Sequence, residues 1–419
     1  MKSFCNKKFY RVNFVLLLAV AVLSVFSGCD TFQNILGSVA EQSSQSSVPK
    51  ATAPVNNTGR TLYGLDSIED ESVRVMYGQI EKYAYSRLES VFTVDGELSH
   101  RQLYEGICAY KEDHPEVFWL KNSCKVYYEN GSTYISLDFL MNYQTRLNAQ
   151  SEFEAKISEI AANAPSDATQ FELEQYAHDY IIDNCEYDFE AAEMDEIEDK
   201  ASSAYGALVE GKAICEGYSR AFKLLCNELG IECVNIFGTD DDENHMWNGV
   251  KIEDEWYQVD VTWDDNEDEQ KNITRYLYFN LDDEKMYKDH QASDLYENIS
   301  DEEFENTTAN CNIYVPQCTA TEYNYHLYYG SLITDIDDSS RIVSGIAQAA
   351  KENRDLYYLT ADSSLDLNEV SSQLMEDGYI AEWISSANLE NFYSPNLNAE
   401  TNVYTISEYN LFILELQYI

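Results

Sequence analysis

Gly211-Lys212-Ala213-Ile214-Cys215-Glu216-Gly217-Tyr218-Ser219-Arg220-Ala221-Phe222-Lys223-Leu224-Leu225 carries the densest pattern in the 419-residue chain. Apolar residues at 221, 222, 224, 225 and 229 suit a helix packed by one face, with Gly230 closing it. Cys215 then stands at the helix N-terminus. Unsatisfied N–H groups and the positive end of the helix dipole favour thiolate over thiol there. An isolated Cys is most often a buried structural residue, so its neighbours must carry the case for chemistry.

Downstream, Ile231 to Gly238 reads as a strand, and Thr239-Asp240-Asp241-Asp242-Glu243-Asn244 as an acidic loop. His245-Met246-Trp247-Asn248-Gly249-Val250-Lys251-Ile252 and Glu255-Trp256-Tyr257-Gln258-Val259-Asp260-Val261-Thr262-Trp263-Asp264 follow. These two alternating runs around a short polar gap predict a β-hairpin. If Glu253-Asp254 is a two-residue turn, Ile252 faces Glu255, Trp247 faces Asp260 and His245 faces Thr262. His245 and Asp260 then share a sheet face as diagonal neighbours. A three-residue turn would put them on opposite faces. In the first register Asp260 can fix the imidazole tautomer and His245 can take the proton of Cys215. Each residue alone has an ordinary reading: a surface strand His, a solvated or capping Asp. The order Cys, His, Asp in this helix-then-hairpin context is more specific than its parts.

With Gly211 to Tyr218, His245-Met246-Trp247-Asn248 and Trp256 to Asp265 together, the chain resembles the transglutaminase-like superfamily, a branch of the papain-like cysteine fold. It looks most like the bacterial secreted members. The match covers about residues 170–290, and Phe118-Trp119-Leu120 after Asp113-His114-Pro115-Glu116 resembles the region preceding the core in such proteins. The resemblance implies Cys215 as nucleophile, His245 as base and Asp260 as orienting group. For the oxyanion hole, the Cys215 amide is a natural donor at a helix start. Papain-type enzymes add a Gln a few residues upstream, but position 209 is Val, which leaves Tyr205 as the side-chain candidate. Trp247 and Trp263 are candidates to wall the cleft or to pack the hairpin. His178 and His290 read as structural. Animal transglutaminases use calcium, yet neither Asp240 to Glu243 nor Asp264 to Glu269 has the glycine or ligand order of a calcium loop. They read as a solvated acidic rim that favours cationic substrates. No cofactor and no metal site is expected.

Outward from this core, 419 residues suit two to three domains. The hydrophobic fraction of 44% supports a sizeable core. Acidic residues number 75 against 27 basic ones, a net charge of −48 that excludes a nucleic acid or anionic lipid surface held by bulk charge. Tyr supplies 33 aromatics beside 17 Phe and 5 Trp, which suits many half-buried elements. Lys2, Lys7, Lys8 and Arg11 precede an apolar run from Phe14 to Phe26, too short for a membrane span and right for a signal sequence. Phe26-Ser27-Gly28-Cys29 resembles a bacterial lipobox, which implies lipidation at Cys29 and an extracytoplasmic, membrane-anchored protein. Losing residues 1–28 removes four positive charges and leaves 23 against 75, or −52. Such a body is repelled by an anionic envelope and depends on the lipid for anchoring.

The expected fold class is α+β: a transglutaminase-like core with the Cys-bearing helix packed on an antiparallel sheet. Expected boundaries are a signal at 1–28, a polar tether at 29–58, an N-terminal α+β domain at 59–150, the core at 151–300 and a small C-terminal α/β domain at 310–419. Helices are expected at 67–88 and 99–112, as a pair within 146–190 of which the second is 171–184, and at 339–353 and 365–376. Strand structure is expected from Glu116, across an Asn130-Gly131 turn, and at 323–329, 355–359, 403–406 and 411–418. No CxxC occurs, so structural zinc is not expected. Cys108 with Cys124, and Cys311 with Cys318, are close enough in sequence to bridge.

The functional expectation is a surface-anchored cysteine acyl-transfer enzyme acting on an amide of a protein or peptide, by hydrolysis or by transfer to an amine. Its substrate would be a protein or peptide, such as a cationic or cell-wall peptide. The alternatives are a non-catalytic peptide- or glycan-binding surface lipoprotein on the same core, and an assembly factor acting through its terminal domain.

Overall fold

A computed structural model describes residues 60–86, 91–193, 200–240, 243–265, 271–295, 312–390 and 396–419. The signal, Cys29, the tether and Cys311 lie outside the described residues. In chain order the first strands are β1 (Val91–Asp95), β2 (Leu120–Glu129), β3 (Ser132–Phe139), β4 (Glu186–Tyr187), β5 (Lys212–Ala213), β6 (Glu232–Asp240) and β7 (Glu243–Ile252). They are followed by β8 (Glu255–Val259), β9 (His290–Ala292), β10 (Gly330–Ile333), β11 (Leu356–Ala361), β12 (Val403–Ile406) and β13 (Leu411–Glu415). Helices interleave throughout, so the class is α+β. Two compact units divide the chain: 1–167, 173–248 and 290–315 form the first, and 168–172, 249–289 and 316–419 the second.

In the first unit, helix Glu71–Ala84 opens on Asp70, whose side chain accepts from the Ser72 and Val73 N–H groups. It buries Val73, Met76, Tyr77, Ile80 and Ala84, the one-face spacing of an amphipathic helix. Helix His100–Asp113 opens on a capping box made by Ser99 and Gln102. Asn130 and Gly131 both take left-handed backbone and turn β2 into β3. With β1 these strands form a sheet in the order β1-β3-β2. The strand expected from Glu116 begins only at Leu120. Val117 and Leu120 N–H bond to the carbonyls of His114 and Val117, and this tight turn sends Phe118 and Trp119 into the core. There the Trp119 indole donates to the carbonyl of Ala84 at 2.9 Å. The buried Arg146 guanidinium donates to the carbonyls of Ala84, Tyr85 and Ser86, a cation at a helix C-terminus.

Helix Cys215–Glu228 follows the short parallel pair β4–β5. It is buried along every residue from Gly217 to Cys226, not on one face as its apolar pattern suggested. The extra burial includes Arg220 and Lys223, and each has a carboxylate to match: Glu216 at 2.8 Å and Glu112 at 3.2 Å. Gly230, with φ of 81°, ends the turn after this helix as expected. β6 then runs between β7 and β9, pairing antiparallel with β9 so that Asp240 stands opposite His290.

In the second unit, the end of β7 turns into β8 through the two residues Glu253 and Asp254. Glu253 takes φ of 53°, and its N–H donates to the Gln170 side chain at 2.7 Å. A four-stranded sheet has the order β10-β11-β13-β12, parallel at β10–β11 and antiparallel elsewhere. Its core includes Ile346, Tyr357, Leu359, Trp383, Ile384, Phe412 and Leu414. The run 323–329, expected as strand, is instead a helical turn, Tyr325–Tyr328. Asn324 caps it by accepting from the Leu327 N–H, and Tyr325 stacks on Tyr276 at 3.8 Å. Helix Tyr379–Glu390 was not anticipated; it buries Ile380, Trp383, Ile384 and Ala387. Among the described residues, no helix is long and apolar enough to cross a membrane.

Candidate active site

Cys215 is the first residue of its helix and is half-buried. The chain reaches it along a clamped path. Glu186 and Asp188 N–H groups bond to the carbonyls of Gly211 and Ala213, and Ile214 N–H bonds to Ala201. Gly211 makes the preceding bend with φ of 70°. Two residues after the cysteine, Gly217 lies against backbone: a Cβ there would stand 2.4 Å from the Ala201 carbonyl oxygen and 3.1 Å from that of Ser203. The Cys-Glu-Gly run is therefore a packing requirement as well as a motif.

His245 sits on β7, buried to 7% exposure. Two hydrogen bonds join its strand to the cysteine's helix. Ser219 Oγ donates to the Met246 carbonyl at 2.8 Å, and Asn248 Nδ2 donates to the Ser219 carbonyl at 3.1 Å. Ser219 is one helical turn from Cys215, and Met246 adjoins His245. The first unit thus ties together the two elements that bear Cys215 and His245.

Asp260 lies in the second unit, fully buried, directly after β8. Its Oδ1 accepts from the N–H groups of Thr262 and Trp263 at 2.9 and 3.1 Å, so it caps the turn Val261–Asp264. The two-residue turn assumed for the hairpin is present.

Sequence reasoning did not single out two neighbours of His245. Asp240, read as part of the acidic loop, ends β6 and brings Oδ2 to 3.5 Å from His245 Nδ1. His290, read as structural, packs edge-on against His245 with ring centroids 5.4 Å apart. It also meets Trp247 at 5.1 Å. Its sequence distance from His245 gave no signal; only the β6–β9 register brings it there. Trp247 is fully buried and nearly parallel to the His245 ring. A Cβ at Gly238 would meet its ring at 2.5 Å, so β6 carries no side chain where the indole lies. In the second unit Trp263 packs edge-on Tyr278 at 5.0 Å.

Tyr205 packs face to face with Phe118 at 4.4 Å and donates its hydroxyl to Glu152 at 3.2 Å. Burial and Glu152 push that hydroxyl's pKa up to about 12. Cys108 and Cys124, close enough in sequence to bridge, are each free thiols. Burial pushes Cys108 up to about 11 and Cys124 up to about 12, and drives Cys226 well above the ordinary thiol value.

Residues 156–261 match the family model described as the transglutaminase-like superfamily. The kyphoscoliosis peptidase of Mus musculus is 28% identical over 27% of this chain and 20% of its own length. That of Homo sapiens is 27% identical over 29% and 19%. The chain thus spans about one fifth of these relatives. Among solved structures, the crystal structure of a TGase overlaps 42% of this chain and 52% of its own, at 15% identity and a TM-score of 0.24. A putative cysteine protease from Cytophaga hutchinsonii overlaps 33% and 61%, at 14% identity and a TM-score of 0.22. The sequence match falls on the helix of Cys215 and the strand of His245, and over these residues the chain carries a transglutaminase-like core.

Proposed function

We propose that the protein is a surface-anchored cysteine acyl-transfer enzyme acting on amide bonds of proteins or peptides. Cys215 Sγ attacks the carbonyl carbon, and the amide C–N bond breaks as the thioester forms. His245 accepts the thiol proton and returns it to the leaving amine, with Asp260 as orienting group. Water or an incoming amine then attacks the thioester and releases Cys215. The Cys215 amide at the helix start is the donor for the oxyanion. Lipidation at Cys29 anchors the chain outside the cytoplasm, and its acidity favours cationic peptide substrates. The observation that carries the reading is the double tie of Ser219 to Met246 and Asn248, which couples the nucleophile's helix to the base's strand.

The test is incubation with a mixed peptide library and a fluorescent primary amine, followed by mass spectrometry. Cleaved or amine-labelled peptides formed by the wild type and absent with Cys215→Ala support the reading. Saturable peptide binding that is equal in both proteins and yields no product overturns it in favour of a binding module.

A further inference from the structure

A buried polar chain runs from the N-terminal region into the elements of the site. Glu112, near the end of helix His100–Asp113, is 8% exposed. Its Oε1 accepts from the Asn235 backbone N–H at 3.0 Å, and its Oε2 from Asn235 Nδ2 at 2.8 Å. Lys223, on the cysteine's helix, stands 3.2 Å from Oε1. Asn235 on β6 accepts through Oδ1 from Asn248 Nδ2 at 3.2 Å. The same Asn248 amide reaches Ser219. Three elements, the helix of Cys215, β6 and β7, are therefore bonded directly or through one residue to a single carboxylate that precedes the matched segment 156–261.

Burial alone would raise the Glu112 pKa, but Lys223 and the two Asn235 donors hold it below the usual range. The carboxylate is charged, and a charge there needs all of these partners. An amide in its place offers one acceptor where two are used and leaves Lys223 uncompensated.

We infer that Glu112 is a positioning residue for the Cys215–His245 pair, acting through Asn235, Asn248 and Ser219. This rests on the acyl-transfer reading above. It makes the region 60–113 part of the catalytic scaffold, so that the matched segment alone is incomplete.

The test is the rate of Cys215 alkylation by iodoacetamide in the full chain, read by peptide mass spectrometry well below the melting temperature. Glu112→Gln, Asn248→Ala, which removes the amide that donates to both Asn235 and Ser219, and the double variant are compared with the wild type. Glu112→Gln is expected to slow alkylation about tenfold or more, because small misplacements of reacting groups are costly. The double variant is expected to be no slower than the slower single variant, since both cut one chain. A wild-type rate in Glu112→Gln, or multiplicative losses in the double variant, overturns the inference while leaving the enzyme reading intact. A wild-type Cys215 that alkylates no faster than Cys108 overturns both. Should Glu112→Gln fail to fold, Asn235→Ser breaks the same chain at its middle and is judged by the same outcomes.

Discussion

Ser219 Oγ hydrogen-bonds to the Met246 carbonyl at 2.8 Å, so the helix that begins with Cys215 cannot slide along the strand of His245 without losing a buried bond. An unpaired buried carbonyl costs about 1–3 kcal/mol, enough to hold the register of helix on strand.

Cys215 is expected to react ahead of the fully buried thiols. In the folded protein it is half-buried, whereas Cys226 and Cys233 are at most 1% exposed. Iodoacetamide is expected to label Cys215 ahead of these two, and His245→Ala to slow that labelling about tenfold. Peptide mapping after a short exposure measures both. Equal labelling of Cys226 and Cys215 would contradict the expected order.

Asp260 serves a turn as well as the proposed base, and the two roles separate by substitution. Asp260→Asn retains an oxygen to accept from Thr262 and Trp263, so the fold should survive. Asp260→Ala loses the cap and about 1 kcal/mol. Both should lower turnover by more than tenfold if Asp260 orients the imidazole. Full turnover in Asp260→Asn would transfer that role to Asp240, whose carboxylate lies 3.5 Å from His245. Kinetics of Asp240→Asn would then show the deficit.

Gly217→Ala should destabilise the first unit by roughly 1–3 kcal/mol, because the added methyl meets backbone and not a movable side chain. Urea unfolding followed by fluorescence reads the shift. Gly131→Ala separates the effects: no atom lies within 4 Å of its would-be Cβ, but φ is 75°, so only backbone strain remains.

His326 sets an acid limit on the second unit. It is buried, its Nε2 has no hydrogen-bond partner, and desolvation, aided by Lys285, lowers its pKa to about 3. The unfolded imidazole takes its proton near pH 6.5. A folded pKa below the unfolded one means stability is full above pH 6.5 and is lost as pH falls toward 3. About 2 kcal/mol should go between pH 6.5 and 5. His326→Phe should flatten that part of the stability curve in urea titrations at several pH values. An unchanged slope would show that the imidazole accepts its proton in the folded state without cost.

Much of the local structure was legible in residues whose chemistry is local. Asn130-Gly131 gave the hairpin, Gly230 the helix end, and the even gap at Glu253-Asp254 the turn on which the placement of Asp260 rested. Tyr323 to Tyr329 misled because strand propensity in a tyrosine run is really a preference for packed surface, and aromatic stacking on Tyr276 satisfies it in a helical turn. Asp240, His290 and Glu112 stayed invisible for one shared reason. Their partners are set by strand register and helix packing over long stretches of chain, and no periodicity in the sequence encodes that.

The bond between Glu112 and Asn235 spans 123 residues. On a ribosome, Glu112 emerges long before Asn235 and Asn248 exist to meet it. Contacts of such separation form late and slowly. The helix of Cys215 is therefore translated after the carboxylate that Lys223 meets, and that carboxylate gains its full set of partners only when the chain has closed upon itself.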